Sequence, residues 1–149
     1  MASVEETPLK GQFALQKIED LLDRVDKVVP RWPALYRFSH GEKLYKLLDD
    51  MEALCVAANK KYFKKTTLQD LDIKNAQLQL LIFRLYKTQY TDGKGNPRRL
   101  LTDGQHAEWK TFSMEIGKLI GGWMGSLTER GNAVKAQEQR LTYREHAEI

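Results

Sequence analysis

Apolar residues recur at three- and four-residue intervals through four stretches of the chain, and that spacing predicts four α-helices. Leu15, Ile18, Leu22, Val25 and Val29, widened by Leu21 and Val28, mark the first over residues 10–29. Its polar face sets Asp20 before Arg24 and Asp23 before Lys27, acid ahead of base by one turn. Pro30-Arg31-Trp32-Pro33 ends it, because a proline drives the preceding residue out of helical geometry. The second helix is expected over residues 39–63. Ser39 and Glu42 make an S-x-x-E capping pattern, and Leu44, Leu47, Leu48, Met51, Leu54, Cys55, Ala58 and Tyr62 follow as its stripe. The third, residues 67–90, carries Leu71, Leu78, Ile82 and Leu85 on one face, while Leu80, Leu81, Phe83 and Tyr86 spread apolar surface around the rest. Such a helix is expected to be buried on more than one side. From Thr91 to Leu101 the turn residues Gly93, Gly95, Asn96 and Pro97 predict a loop. The fourth helix, residues 102–130, opens on a second capping pattern, Thr102 with Gln105, and Gly131-Asn132 reads as its C-cap. Residues 1–130 thus form one all-α domain. The polar tail 131–149 is rich in helix formers but poor in apolar stripe, and is expected to be a loose helix.

One part of the fourth helix breaks the usual rule. Gly117, Gly121, Gly122 and Gly125 lie among Ile116, Leu119, Ile120, Trp123 and Leu127. Each glycine inside a helix costs about 1 kcal/mol relative to alanine. The four-residue spacing of Gly117, Gly121 and Gly125 aligns them into a strip without side chains. Such a strip admits a close backbone or a large ring such as Trp123. The expected neighbour is another helix of the same chain, with a second subunit as the alternative. A membrane contact is excluded, because no apolar run nears the ~20 residues a span requires.

Composition narrows the class further. Of 149 residues, 42% are hydrophobic and 30% charged, ordinary for a helical protein large enough to bury a core. The single Cys55 rules out an internal disulfide and suits a reducing compartment. The segment from Met1 to Leu9 has no basic start and no apolar core, so the cytoplasm is the expected location. The net charge of +4 is unevenly spread. Lys and Arg number 8 against 10 Asp and Glu from Met1 to Asn59, 12 against 6 from Lys60 to Lys118, and 4 against 4 thereafter. A basic middle suits a polyanion or an acidic protein partner, or is simply a solvated face. Lys60, Lys61, Lys64 and Lys65 crowd the end of the second helix, where they either complement its dipole or edge an anion-binding surface. Arg84 and Lys87 sit one turn apart late in the third helix, and Arg98 and Arg99 stand on the loop.

Residues that would carry chemistry are sparse. A di-metal helical bundle needs Glu-x-x-His pairs, and none occurs. His40 and His106 fall in helix first turns and His146 in the tail, positions that suit structural or solvent roles rather than ligation. Cys55 belongs to an apolar stripe. Asp49, Asp50 and Glu52 lie opposite it as a solvated face. No phosphate-cradling glycine loop, nucleophile elbow or zinc spacing is present. No cofactor, no metal and no enzymatic activity are expected.

Two segments carry a family resemblance. Arg37-Phe38-Ser39-His40-Gly41, and Glu115-Ile116-Gly117-Lys118-Leu119-Ile120-Gly121-Gly122-Trp123, resemble the Avd family, the accessory variability determinants of diversity-generating retroelements. That family also includes four-helix proteins encoded in ribosomal-RNA intervening sequences. The resemblance covers about Ala14 to Leu127. It implies an up-down antiparallel four-helix bundle that assembles as a homopentameric barrel. It further implies a non-enzymatic partner of a reverse transcriptase that binds the enzyme and its template-repeat RNA, with cDNA as a further candidate, in mutagenic retrohoming. Arg84, Lys87, Arg98 and Arg99 would then form the contact surface, with Lys60, Lys61, Lys64 and Lys65 second. Gly117, Gly121, Gly122, Gly125 and Trp123 would serve subunit or helix packing. The family's third helix commonly carries two arginines one turn apart; Arg84 matches the second, and Leu80 stands at the first. The loop at 91–101 is long for the family. The alternative role is a stand-alone structural bundle with no polymerase partner.

Overall fold

Pro33 opens the second helix, six residues earlier than the capping pattern at Ser39 suggests. In the computed structural model, which describes the backbone of residues 10–147 and the side chains of 11–127, helix α1 spans Lys10–Val28 and a 3-10 turn follows at Val29–Arg31. Pro33 then stands at the N-cap with φ −55°, and its carbonyl accepts from the amides of Tyr36 and Arg37. A proline there is preset for a helix start, since its missing N–H would have had no helical partner. Ala34–Tyr36 is α-helical, Arg37–Gly41 widens into a π turn, and Glu42–Lys60 resumes α geometry. These three pieces form helix α2. Ser39 therefore caps nothing: its hydroxyl donates back to the Leu35 carbonyl at 2.7 Å, inside a helix already under way. The π turn also fits a tight contact. A Cβ at Gly41 would lie 3.0 Å from Val29 Cγ1, so the end of α1 can press there only against glycine.

Helix α2 stops at Lys60, three residues before the expected end, because Lys61 is extended (φ −88°, ψ 143°). Helix α3 follows at Lys65–Lys87. The loop expected after it is partly a hairpin. Strand β1, Gln89–Thr91, pairs antiparallel with β2, Pro97–Arg99, in the register Gln89 with Arg99, Tyr90 with Arg98 and Thr91 with Pro97. Asp92 Oδ1 accepts from the Lys94 and Asn96 amides, and Gly95 takes φ 81°, so the turn residues close a hairpin. Helix α4 is Asp103–Ala147. Its capping box forms as expected: the Gln105 amide donates to Thr102 Oγ1 at 3.1 Å and the Thr102 amide to Gln105 Oε1 at 3.0 Å. Gly131-Asn132 does not end it, and the helix runs through that pair to Ala147. A glycine caps a helix only when the chain turns there.

Each helix packs on two neighbours, α1 and α3 both lying against α2 and α4. Cross-contacts run in opposite senses: Tyr45 with Asp26, Lys17 with Glu115, Arg24 with Glu108, Asn75 with Ser113. The architecture is an up-down antiparallel square of four helices. Ile18, Leu21, Leu44, Leu48, Met51, Leu68, Leu71, Leu78, Ile82, Leu85 and Trp109 fill its centre. On α1 the buried line is Ala14, Ile18, Leu21 and Val25, with Leu15 and Leu22 only partly covered. Helix α3 buries its stripe together with Leu81, and Tyr86 is half-buried, while Leu80 and Phe83 stay exposed on its second apolar side. Trp32 seals one end by donating from Nε1 to the Leu100 carbonyl at 2.8 Å, with Leu100 and Leu101 buried beneath the hairpin. At the opposite end Trp123 packs where Gly11 leaves no side chain. A Cβ at Gly11 would collide with Trp123 and Asn59.

Candidate partner interface

The expected cations separate to the two ends of the bundle. Arg84 and Lys87 end α3, and Arg98 and Arg99 lie on β2 beside it. Lys60, Lys61, Lys64 and Lys65 lie at the other end, where α2 passes into α3. From Lys65 to Arg84 the helix rises about 28 Å. The two groups therefore cannot share one small ligand.

At the hairpin end the arginines are already engaged. Arg98 Nε meets Asp92 Oδ2 at 3.0 Å, and Arg99 Nη1 meets Asp103 Oδ1 at 3.5 Å. The Arg99 guanidinium also lies over the Tyr86 ring at 4.9 Å, and Tyr86 stacks on His106 with ring centres 4.0 Å apart. Asp92 is held below its ordinary range, first by the Asn96 amide and then by Arg98. Arg98 and Arg99 also line an open pocket of about 620 Å³ with Arg31, Trp32 and Tyr90. Lys87 Nζ sits over the Phe83 ring at 4.9 Å.

Arg84 belongs to a different surface. It lines a groove of about 340 Å³ between α2 and α3, with Lys43, Lys46, Leu47 and Asp50 from α2 and Lys74, Gln77, Leu80 and Leu81 from α3. Lys46 and Lys74 converge on Asp50 at 3.3 and 3.6 Å, so four cations face one carboxylate. Leu80 is 71% exposed in that groove. His40 lies nearby with its pKa lowered by burial, then by the charges of Lys43 and Arg84, all of which disfavour the charged ring. Sequence reading missed Lys43, Lys46 and Lys74. Their signal was present: Lys43, Lys46 and Asp50 fall at three- and four-residue spacing on the outer face of α2, opposite Lys74, Gln77 and Arg84 on α3. What the sequence did not reveal was which helix faces which.

The glycine strip is open along most of its length. A Cβ at Gly117 would come 3.1 Å from Asn75 Nδ2, but at Gly121, Gly122 and Gly125 nothing among the described residues lies within 4 Å. The expected intrachain contact thus holds only at Gly117. Trp123 does not lie in the strip; it faces Gly11, with Lys64 Nζ at 5.6 Å from its ring centre. Cys55 is buried, and burial followed by the Glu52 charge pushes its thiol up to about 12. That environment disfavours the nucleophilic thiolate. Among the described residues no cluster of three or more His, Cys, Asp or Glu could hold a metal ion, and no helix is long and apolar enough to cross a membrane.

A family model described as bAvd-like matches residues 13–127. No curated protein matches the chain.

Proposed function

The chain belongs to the bAvd-like family, and from that membership we propose that it is the non-enzymatic accessory subunit of a diversity-generating retroelement. In this reading it binds the retroelement reverse transcriptase and its template RNA, and supports mutagenic cDNA synthesis and retrohoming. All covalent chemistry belongs to the polymerase.

The observation that carries this reading is the α2–α3 groove. It joins Lys43, Lys46, Lys74 and Arg84 to exposed Leu80 and half-buried Leu47, with one carboxylate among them. A surface both basic and apolar suits an acidic protein patch with a hydrophobic anchor better than bare phosphate, which has no use for leucine. Leucine at position 80, where the family commonly has arginine, fits the same preference. Assembly enters through the glycine strip, a surface that a second copy would bury, and closing five copies into a ring would account for glycine at helix positions that disfavour it. Five chains of net charge +4 would bring about +20 to one particle, a field that draws in RNA.

The test is co-purification with a retroelement reverse transcriptase, which this reading expects to find encoded beside the gene. Arg84→Glu combined with Lys74→Glu should abolish the complex while leaving the helical signal and solution mass unchanged, because like charges across a contact cost several kcal/mol. Retention of the polymerase by that variant sinks the groove as its docking site.

A further inference from the structure

We propose that Tyr62 and Phe63, with the lysines on either side of them, form a stacking platform for single-stranded nucleic acid. The proposal deepens the RNA-binding part of the function above and rests on it.

The sequence run is Lys60-Lys61-Tyr62-Phe63-Lys64-Lys65. Periodicity alone would place Tyr62 on the buried stripe of α2. The helix instead ends at Lys60, and the extended backbone at Lys61 carries both rings off the bundle. Tyr62 is 89% exposed and Phe63 87%, the two most exposed large apolar side chains among the described residues. They meet edge to face, ring centres 4.9 Å apart at 87°. An aromatic side chain can bury roughly 150–250 Å² when something covers it. Here nothing in the described chain does, so open ring faces are left for an outside group.

The surrounding charge says what that group is. No Asp or Glu occurs between Lys60 and Gln69. None of the four lysines makes an ion pair among the described residues. Lys61 Nζ donates to Thr67 Oγ1 at 3.2 Å and Lys64 lies over Trp123, contacts that fix two of the cations on the bundle while leaving their charge without a carboxylate among the described residues. Lys60 and Lys65 are exposed. Contrast the arginines of the hairpin, each matched to an aspartate. Unneutralised cations bracketing open rings match phosphates bracketing a base, and every base offers a π face. A duplex hides those faces in its own stack, so the platform selects unpaired strands. A second copy of the same segment would bring four more lysines against these four, which disfavours a symmetric self-contact.

The experiment compares the full chain with a short labelled oligouridylate and with an RNA duplex of equal length, by fluorescence anisotropy over a salt series. The single strand should bind more tightly. Tyr62→Ala with Phe63→Ala should weaken it by about 5- to 100-fold, leaving the slope of log affinity against log salt unchanged. Lys60→Gln with Lys65→Gln should instead lower that slope by about 0.7 per lysine. Phe63→Trp should retain the affinity. Unaltered binding by the ring variant, or an equal loss on duplex, overturns the platform; if RNA binding persists through the arginines, the accessory reading survives. Failure of the unaltered chain to bind any single strand overturns the platform and the RNA-binding half of that reading together, leaving polymerase capture to its own test. Ring substitutions that lower the mass in solution would reassign the pair to a subunit contact. Loss of binding to anionic lipid vesicles, with RNA binding intact, would reassign it to a membrane surface. Either result overturns the proposal.

Discussion

The two ends of the bundle treat their cations in opposite ways. At the hairpin end Arg98 and Arg99 have carboxylate partners, Trp32 is locked to Leu100, and Tyr86 lies between Arg99 and His106. At the connector end four lysines have no acidic partner among the described residues, two aromatic rings stand in the open, and Gly121 and Gly125 present bare backbone. One end is built to hold its own shape. The other keeps its charge and apolar surface available. The sign of a residue therefore says less than its neighbours: an arginine already paired with aspartate offers phosphate a partly neutralised charge, whereas a lysine without an acidic neighbour offers all of its own.

The strongest way to break this comparison is at the tryptophan seal. Trp32→Ala should destabilise the fold by about 3–5 kcal/mol, since it empties a buried site. Trp32→Phe should cost about 1–3 kcal/mol by leaving the Leu100 carbonyl without its donor. Tyr62→Ala and Phe63→Ala should each stay within about 0.5 kcal/mol. Chemical denaturation measures all four. Equal losses at both ends would erase the distinction.

A smaller effect is expected at the glycine strip. Gly121→Ala and Gly125→Ala should each stabilise the isolated subunit by about 1 kcal/mol, because the added methyl meets nothing and restores helix propensity. The same changes should weaken association, read as lower mass at equal concentration. A gain in stability without loss of mass would make the strip an ordinary solvent face.

The smallest effect is local and depends on pH. The folded pKa of Asp92 is lowered, so its contribution is present above the ordinary carboxylate value and is lost as pH falls through the depressed one. Hydrogen exchange at the Lys94 and Asn96 amides, which donate to Asp92, should therefore show reduced protection in acid. Asp92→Asn should remove that dependence. Helix α2 should show no matching change.

The four helices were legible because apolar spacing is a local signal. Thr102 and Gln105 were legible for the same reason, their capping box needing only each other. Ser39 and Glu42 offered the same pattern and misled, because Pro33 had already begun the helix six residues upstream. The hairpin was missed because two three-residue strands have too little length to show a period, although Asp92-Gly93 and Asn96-Pro97 marked its turn. Gly131-Asn132 misled because a C-cap depends on the chain turning away, which composition does not specify. Arg84 was found as a charge in an apolar helix, but its groove companions required knowing that α2 and α3 are neighbours. Tyr62 was placed on a stripe that ends before reaching it.

The π turn at Arg37–Gly41 acts as a phase shift in the second helix. One residue of a helix corresponds to about 100° of rotation. Removing a residue from that turn would therefore swing Leu35 and other upstream side chains to a new bearing, while Leu44 and everything after it kept theirs. A segment that carries the family resemblance is thus also a dial, setting the direction in which the first turn of α2 faces its surroundings.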